Sequence, residues 1–428
     1  MANPPRTNSS PRRPASAPKS PARPTPADRS TQAPSSGKPK SSRGIVATRF
    51  NLGKRFESES PNFYLLAGIT LFTVILGLLM VLSASSVDSY LQEGQFFGGF
   101  GRQFVAAVIA LPAMLFISQF PISFWEKWAW GLLGLSAAFQ LLVFSPLGYE
   151  SGGNRNWIDL GVVTAQPSEF IKLTVAIWLG VYLPISIARN GADNWRVLVP
   201  LAPIVVVLVL VLAGGDLGST MIMFMIVIAA LFFAGVALKV IAIPVSAGIL
   251  GVLGLAITSP NRMARIMTFL NENCTDYTNA CWQPLHGKWA LANGGIFGVG
   301  LGQSKAKWSW LPAADNDYIF AIIGEELGMI GALVVIALFV ALVVVFLRII
   351  RSAQNPMVRI ATGGIMVWIV GQAFINIGVV LGLFPVLGVP LPLLSSGGTA
   401  LFTTLIAIGV VLSFTKDEPK IHIGKKRR

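Results

Sequence analysis

The chain has 428 residues, of which 53% are hydrophobic and 12% are charged, and its formal net charge is +14. Soluble proteins carry roughly 25% charged residues, so this composition excludes an ordinary soluble protein and predicts a polytopic membrane protein. Twelve Lys or Arg residues and three acidic residues precede Pro61, and membrane topology with attraction to anionic lipid explains this charge without a nucleic-acid partner.

The first 60 residues are rich in Pro, Ser, Arg and Lys and nearly free of apolar side chains. Such a segment cannot bury enough surface to offset the loss of chain entropy on folding. Residues 1–60 are therefore predicted to be a disordered basic cytoplasmic tail. No apolar run follows the first basic residues, which argues against a signal peptide.

Ten apolar segments follow the tail, and a helix needs about 20 apolar residues to cross the bilayer. The predicted transmembrane helices are residues 63–84, 104–121, 128–144, 170–187, 197–213, 220–236, 240–258, 319–347, 360–381 and 400–414. The predicted fold class is all-α, with a ten-helix membrane domain over residues 61–415 and a second basic tail at 416–428. Ten crossings place both termini on one side, and the basic loops 189–196 and 348–359 on that side make it the cytoplasm.

Two of the predicted outer loops are long, residues 145–169 and residues 259–318, the second between helices seven and eight. A loop of such length without evident secondary structure is usually functional, so residues 259–318 are interpreted as a large extracellular catalytic loop. It contains both cysteines, Cys274 and Cys281. Two cysteines cannot supply four zinc ligands, and a disulfide in an oxidising exterior is the preferred interpretation.

Polar residues gather at the start of the fourth predicted helix, after the run Gly-Asn-Arg-Asn-Trp at residues 153–157. Ser168 and Glu169 can satisfy the unpaired N–H groups of the first helical turn, which is a purely structural role. Lys172 lies about one turn further, inside apolar sequence, where a cation snorkels, pairs with a buried acid or holds an anionic ligand. A second candidate, Asp216, follows two glycines and is interpreted as the cap of the sixth helix.

The large loop carries the polar residues Gln283 and Lys307 among four tryptophans, which at a membrane face usually form an aromatic belt. Asp317 ends this loop, directly before the eighth apolar segment. Acids at a bilayer edge are costly and therefore functional candidates. A low dielectric and a neighbouring carboxylate would raise the proton affinity of Asp317 and make it a competent general base. Glu325 and Glu326, two turns deeper, either pair with Lys172 or Arg155 across the bundle or act in catalysis.

Three runs near the end of the chain combine proline and glycine: Gly-Leu-Phe-Pro at 382–385, Gly-Val-Pro-Leu-Pro at 388–392 and Ser-Ser-Gly-Gly at 395–398. They predict a broken, re-entrant segment on the outer side. Irregular backbone at such a depth is tolerated only against protein or a water-filled cavity.

Together these motifs resemble the SEDS family (shape, elongation, division and sporulation proteins; FtsW/RodA/SpoVE), over residues 63–414. In chain order the resemblance rests on Met-Val-Leu-Ser-Ala-Ser-Ser at 80–86, Gln-Pro-Ser-Glu at 166–169 with Lys172, Gly-Asp-Leu-Gly at 215–218, Asp-Tyr-Ile-Phe at 317–320 with Gly-Glu-Glu-Leu-Gly at 324–328, and the last two proline and glycine runs. Each motif is a moderate signal, but their order is specific. The chain is most similar to the cell-division branch, of the actinobacterial type.

The resemblance implies a peptidoglycan glycosyltransferase that polymerises the lipid-linked precursor lipid II at the outer face of the plasma membrane during septal division. The family's essential aspartate falls on Asp317. A diphosphate leaving group needs positive charge from basic side chains or a divalent cation, Mg²⁺ or Mn²⁺, and no organic cofactor is implied. The predicted substrate-binding residues are Lys172, Arg155, Glu325, Lys307 and Gln283. The implied partners are a class B penicillin-binding protein that crosslinks the product and other divisome proteins.

The chain departs from the family pattern at three places. Ala313 stands where Glu is usual, Asp315-Asn316 replaces His-Thr, and Asn156 replaces an Arg that commonly precedes the Trp, while Arg155 stands one place earlier. Three alternatives stand beside the division polymerase: a lipid II flippase, an elongation polymerase of the RodA branch, and a non-catalytic divisome scaffold, which suits the tail but not the costly Asp317 region. A flippase favours charges spread over both leaflets, whereas the polar candidates here concentrate at the outer face. The basic tail and the Ser-Ala-Ser-Ser motif favour division.

Overall fold

Helices make up most of the chain that the computed structural model describes, which is residues 60–151, 154–159, 161, 164–258, 260–270, 281–308 and 310–417. The α-helices are α1 (Pro61–Glu93), α2 (Gly98–Ile117), α3 (Ile122–Leu141), α4 (Pro167–Asn190), α5 (Leu201–Ala213), α6 (Leu217–Phe233), α7 (Leu238–Thr258), α8 (Pro260–Leu270), α9 (Trp282–Gly294), α10 (Ile319–Ser352), α11 (Pro356–Met366), α12 (Gln372–Val380) and α13 (Gly398–Phe414). A π-helical turn, Val367–Gly371, joins α11 to α12.

Each of the ten segments predicted to cross the membrane is helical in the structure. Among the described residues, six helices are long and apolar enough to span a bilayer: α1, α2, α3 with its terminal 3₁₀ turn, α4, α10 and the α11–α12 pair. Four shorter apolar helices are α5, α6, most of α7 and α13. Large apolar side chains such as Phe72 and Phe116 are more than half exposed on the outside of the bundle. Such a surface suits contact with lipid, and the chain is a multi-pass membrane protein.

The division between α5 and α6 follows from local sequence. Gly215 adopts a φ of 86° that an L side chain rarely takes, and the Asp216 carboxylate accepts the backbone N–H of Ser219 at 2.9 Å. Asp216 is therefore the N-cap of α6, as the sequence predicted.

Helix α4 is the most enclosed element around the site. Every residue from 171 to 180 is buried, and the helix packs against α3, α6 and α11. Small residues allow the close approach to α11, since a Cβ on Gly180 would lie 3.0 Å from the Cβ of Ala361. Side chains near the first turn of α4 are consequently held in fixed positions at the centre of the bundle.

Helix α10 is broken at Gly328, whose φ is 69° and ψ is −167°. The segment after α9 fills the break, because Met329 N–H donates to the Gly295 carbonyl at 2.9 Å and Val299 N–H donates to the Glu325 carbonyl at 2.9 Å. A Cβ on Gly298 would collide with the backbone of Glu326. The prediction of one continuous eighth span thus misses this break. The glycine-rich loop makes the hydrogen bonds that the broken helix cannot make, as buried backbone groups require.

Two further predictions about secondary structure are corrected. The segment 259–318 was expected to lack secondary structure, yet it contains α8 and α9. The all-α prediction holds for the bulk of the fold but misses an antiparallel sheet of β1 (Gly148–Ser151), β2 (Asn154–Asp159) and β3 (Thr164–Ala165). These strands are short and polar, so backbone pairing rather than an alternating apolar pattern defines them.

Candidate active site

A cavity of about 880 Å³ opens among α4, α6, α8, the end of the α9–α10 connection and the irregular segment after α12. The charged side chains that line it are Glu169, Lys172, Asp216, Arg265 and Asp317. Its size matches that of a ligand-binding cleft of roughly 300–1,000 Å³. The cavity therefore brings two of the predicted site residues together, Asp317 and Lys172, from positions far apart in the sequence.

Asp317 stands at the mouth of α10, half-buried in the cavity wall. Neighbouring elements hold its backbone. Asn376 donates to the Asp317 carbonyl oxygen at 2.8 Å, and the Ser395 hydroxyl donates to the preceding carbonyl, that of Asn316, at 2.7 Å. With its backbone fixed on both sides, the carboxylate is positioned in advance of any ligand.

Burial raises the pKa of the Asp317 carboxyl to about 6, against the pull of the Arg265 guanidinium and with a smaller push from the Asp315 carboxylate. Desolvation disfavours the charged form, which explains the direction of the change. A carboxylate with a pKa near 6 is ionised at neutral pH and is a stronger base than an ordinary aspartate.

The re-entrant segment predicted from its prolines forms one wall of the cavity. Gln372 donates to the Pro390 carbonyl at 2.8 Å, and Asn376 donates to the Val389 carbonyl at 2.8 Å. Both amides follow the π-helical turn, and such turns are frequent at functional sites. On the other side, Gln103 of α2 donates to the Ser395 carbonyl at 3.0 Å. Side-chain amides thus replace the hydrogen bonds that an irregular backbone cannot make for itself.

Lys172 is almost completely buried, with 1% of its surface exposed. Its ammonium lies 2.7 Å from Glu169 Oε1, donates to Gln372 Oε1 at 3.1 Å, and sits 5.1 Å from the Trp368 ring centroid. The sequence left pairing and ligand binding open for this residue. In the structure Lys172 forms an ion pair with Glu169 and also lies on the cavity wall. The ammonium therefore both anchors Gln372 and contributes charge to the cavity.

Arg155 lies outside the cavity, on the exposed face of β2, where its guanidinium donates to the Ser145 carbonyl at 2.9 Å. The pairing of β1 with β2 shifts register between Tyr149 and Glu150, which leaves Asn156 unpaired in a bulge. A bulge commonly redirects a side chain near an active site. Asn156 is buried, lines the cavity, and has an Oδ1 with no hydrogen-bond partner among the described residues.

Arg265 of α8 was missed by the sequence analysis. Its guanidinium lines the cavity and donates to the Val386 carbonyl at 3.4 Å. A Cβ on Gly388 would lie 3.7 Å from Asp317 Oδ2 and 4.0 Å from Arg265 Nη1, so both groups face the same glycine. Arg265 is exposed and makes one long hydrogen bond within the described part of the chain, which leaves most of its donors available to an anionic ligand.

The predicted site residues Glu325 and Lys307 lie elsewhere, in a buried polar cluster beneath the loop that precedes α10. Glu325 accepts from the Ser304 hydroxyl and from Asn293 Nδ2 at 2.8 Å. Lys307 pairs with Glu326 at 3.1 Å and donates to the Gly302 carbonyl at 2.7 Å. The predicted pairing of the two glutamates with Lys172 or Arg155 is therefore wrong, because the loop supplies nearer partners.

Gln283 and the cysteines complete the predicted set. Gln283 of α9 donates to the Pro312 carbonyl at 3.1 Å and helps to hold the connection that ends at Asp317, but it does not line the cavity. Cys281 is buried immediately before α9. Cys274 lies outside the described residues, so the Cys274–Cys281 disulfide stays a prediction.

The cavity offers oxygen ligands that fit a divalent cation shared with a substrate. Among the residues that the structure describes, no group of three or more His, Cys, Asp or Glu is placed to hold a metal ion. The Asn156 and Asn316 Oδ1 atoms are nevertheless buried without hydrogen-bond partners in the described chain, and both residues line the same cavity as Asp317. Mg²⁺ keeps several water ligands and binds substrate phosphates beside a few protein oxygens, and these two amide oxygens suit that arrangement.

Comparisons with known proteins agree with this architecture. The family model described as "Cell cycle protein" (FtsW/RodA/SpoVE) matches residues 63–420. "Probable peptidoglycan glycosyltransferase FtsW" of Mycobacterium tuberculosis is 37% identical over 382 residues, which cover 89% of this chain and 72% of that protein. "Stage V sporulation protein E" of Bacillus subtilis is 36% identical over 364 residues, which cover 84% of this chain and 98% of that protein.

Solved structures share the fold. One described as "Structural coordination of polymerization and crosslinking by a peptidoglycan synthase complex" superposes with a TM-score of 0.64 at 22% identity, covering 85% of this chain and 99% of that one. The rod shape determining protein RodA of Thermus thermophilus gives a TM-score of 0.61 at 22% identity over the same shares of the two chains. Since the family model spans most of the chain and relatives exceed 30% identity over most of their length, the chain belongs to the SEDS family of cell cycle proteins, FtsW/RodA/SpoVE.

Proposed function

We propose that the chain is a peptidoglycan glycosyltransferase that polymerises lipid II at the outer face of the plasma membrane during septal cell division. The observation that carries this proposal is Asp317, a carboxylate with a pKa raised to about 6 that faces a cavity of about 880 Å³ together with Arg265 and Lys172. Membership of the family and the relatives named as FtsW support the reaction and the division role.

In the proposed reaction Asp317 takes the proton from the 4-hydroxyl of the acceptor sugar as that oxygen attacks the anomeric carbon of the donor. The new glycosidic bond forms with inversion, the bond to the diphosphate breaks, and undecaprenyl diphosphate leaves with the electron pair. Arg265 is placed to bind the departing diphosphate, with Lys172 adding positive charge from the cavity wall. Fixed charges aimed at developing charge are a major source of catalysis.

A divalent cation has a place in the proposal beside these residues. Asn156 and Asn316 would hold it together with the substrate diphosphate, whose charge it would neutralise, while Asp317 stays free as the base. Depletion with a chelator followed by return of Mg²⁺ or Mn²⁺ tests this requirement directly.

The proposed topology has ten crossings with both termini in the cytoplasm. The six long and four shorter apolar helices support that number, and the basic loops support the orientation. On this topology Asp317 and the cavity open on the outer side, where a class B penicillin-binding protein would crosslink the new strand. Residues 1–60 are proposed to bind or localise divisome proteins rather than to act in catalysis.

Polymer formation from purified lipid II tests the function. The full chain, purified with its partner penicillin-binding protein, is expected to form glycan strands, and an Asp317→Asn complex is expected to form almost none. A flippase would instead move labelled lipid II across a vesicle bilayer without joining sugars. Restoration of division or of elongation in a conditional strain separates the division polymerase from the RodA type.

The rate is expected to depend on pH through Asp317. Because only the ionised carboxylate accepts a proton, kcat/KM should fall about tenfold per pH unit below about 6 and level off above pH 7. Arg265→Gln removes a positive charge that favours the ionised carboxylate, so it should raise the pKa of Asp317. The decrease in kcat/KM should then begin at a higher pH. A profile that stays flat to pH 4.5 in the unmodified protein would exclude Asp317 as the titrating base.

The two cysteines are expected to be joined outside the cytoplasm. Mass spectrometry of the mature protein after alkylation without reductant should find a peptide that contains both Cys274 and Cys281. Two alkylated thiols would place this loop in a reducing compartment or the two residues out of reach of each other.

Deletion of the first 41 residues is expected to leave polymerisation by the reconstituted complex unchanged. The deleted segment has no apolar periodicity with which to join the membrane fold. The change should appear instead in the cellular position of the protein, followed by fluorescence microscopy. A loss of polymerisation in vitro would assign the tail a part in the reaction.

A further inference from the structure

A second cavity, of about 440 Å³, lies between α9 and the loop that precedes Asp317. The residues that define it are His286, Trp289, Asn293, Lys305, Trp310 and Glu325. None of them lines the cavity that contains Asp317. The second cavity combines large aromatic surfaces with several polar groups and has no part in the proposed sugar transfer at Asp317.

The aromatic surface is ordered around His286. The ring centroid of His286 lies 4.9 Å from that of Trp289 and 6.0 Å from that of Trp310. Trp289 and Trp310 are 52% and 62% exposed, while the Trp310 carbonyl is held by Trp282 Nε1 at 2.7 Å. The Trp310 backbone is therefore held in place, and both indoles are more than half exposed, as a stacking platform must be.

His286 contributes a directed hydrogen-bond acceptor. Its Nδ1 lies 2.8 Å from the Trp282 carbonyl oxygen, and since a carbonyl only accepts, Nδ1 carries the hydrogen. In the neutral ring Nε2 is then an acceptor, and it has no hydrogen-bond partner within the described chain. His286 is 9% exposed. An accessible acceptor edge beside two exposed indoles suits a ligand that supplies both an apolar face and a hydroxyl group.

A pyranose sugar has this chemistry. Its C–H groups form an apolar face that packs on the electron-rich face of an indole, and its hydroxyl and amide groups project from the edge. Asn293 and the exposed Lys305 stand at the same cavity and can meet those edge groups. A lipid chain would use the indoles alone and supply no donor to the His286 acceptor.

The position of the second cavity relates it to the first. Trp310 lines the second cavity and Ala313 lines the first; two residues separate them along the chain, so their Cα atoms lie at most about 11 Å apart. That span is comparable to one or two sugar rings. Gln283 fixes the intervening segment through the Pro312 carbonyl.

We infer that the second cavity is a saccharide subsite that binds an N-acetylated amino sugar of the glycan strand, one or two sugars away from the residue joined at Asp317. The inference rests on the proposed function and extends it, because a subsite for the strand would keep the product bound between successive additions. The ligand class is the amino-sugar part of the strand, independent of the lipid.

Binding of a soluble sugar tests the subsite without any turnover. The full chain carrying Asp317→Asn, purified with its partner, is titrated with a tetramer of N-acetylglucosamine, and binding is measured by saturation-transfer NMR and calorimetry. Trp310→Ala is expected to raise the Kd about tenfold or more, and His286→Phe is expected to weaken binding while keeping an aromatic ring in place. The matched control is Trp308→Ala, which removes an equally exposed indole, 61% exposed, from the same loop outside the cavity.

Product length gives a second, separate readout in the otherwise unmodified protein. Trp310→Ala is expected to shorten the strands while the initial rate of lipid II consumption stays within about threefold. If the tetramer does not bind, or if Trp308→Ala weakens its binding as much as Trp310→Ala does, the subsite is excluded and the tryptophans serve as membrane anchors. Tetramer binding that depends on Trp310 would support the subsite even if the protein proved not to polymerise lipid II, so the two proposals can fail separately.

Discussion

Asp317→Asn is expected to lower glycan polymerisation by about 10²–10⁴-fold, the usual cost of losing a general base. The amide keeps the size of the carboxylate but cannot accept the proton of the attacking hydroxyl. The Asp317 backbone should stay in place, since Asn376 holds it through the carbonyl oxygen. Expression, partner binding and lipid II binding should therefore remain near normal while kcat falls. The measurement is strand formation from lipid II by the purified complex at pH 7.5.

Asp315→Asn is the matched control, because it removes a carboxylate two residues away on the same segment. The Asp315 carboxylate affects the pKa of Asp317 only as the smallest of three contributions, so a decrease within about tenfold is expected. Equal losses in the two variants would indicate that the segment as a whole, rather than the Asp317 carboxylate, is required. Near-normal turnover in Asp317→Asn would assign the base to another residue.

The sequence sufficed where one residue and its immediate neighbours determine the structure. The Asp216 cap depends on two preceding glycines and a helix start, and the apolar segments depend only on length and composition. Asp317 was identifiable because an acid at the edge of an apolar helix has few structural explanations. These features involve contacts close in sequence, which a pattern can indicate.

The parts that the sequence did not reveal depend on chain segments that meet from far apart. Glu325 and Glu326 are bound by the loop after α9, by α9 itself and by α1. This is possible because Gly298 of the loop packs against Gly328 of α10, and the glycines alone indicate only a close approach of two backbones. A register shift of one residue in β2 sends Asn156 to the cavity and Arg155 to the surface. The sequence of a six-residue strand does not indicate which of these two side chains faces the cavity.

Arg265 was missed for a different reason. Arg262 and Arg265 alternate with apolar residues in α8, a pattern typical of a helix that lies at the membrane surface with its basic residues in water. Only the packing of the helix beside the re-entrant segment distinguishes a residue that faces the cavity from one that faces solvent. The available signal was the helical spacing of apolar residues after the seventh span, which predicts a helix there but not its orientation.

Lys172→Met is expected to destabilise the protein by about 3–5 kcal/mol, because it leaves the buried Glu169 carboxylate without its cation. Adding Glu169→Gln should restore most of the stability, since replacing a buried pair by neutral groups is often tolerated. Polymerisation should nevertheless stay at least about tenfold low. The double variant still lacks the ammonium at the cavity wall and the donor that holds Gln372, which in turn holds Pro390. Thermal midpoint and strand formation are measured on the same samples.

A second buried pair, Lys307 with Glu326, provides the control that separates charge burial from a role in the cavity. Its side chains are 4% and 0% exposed, against 1% and 3% for Lys172 and Glu169, so both pairs are almost fully desolvated. The Lys307 pair does not line the Asp317 cavity. Lys307→Met with Glu326→Gln should therefore lose activity only in proportion to the folded protein lost. If the Lys172 and Glu169 double variant recovers polymerisation to the same extent, Lys172 serves the fold alone and the positive charge for the diphosphate comes from Arg265.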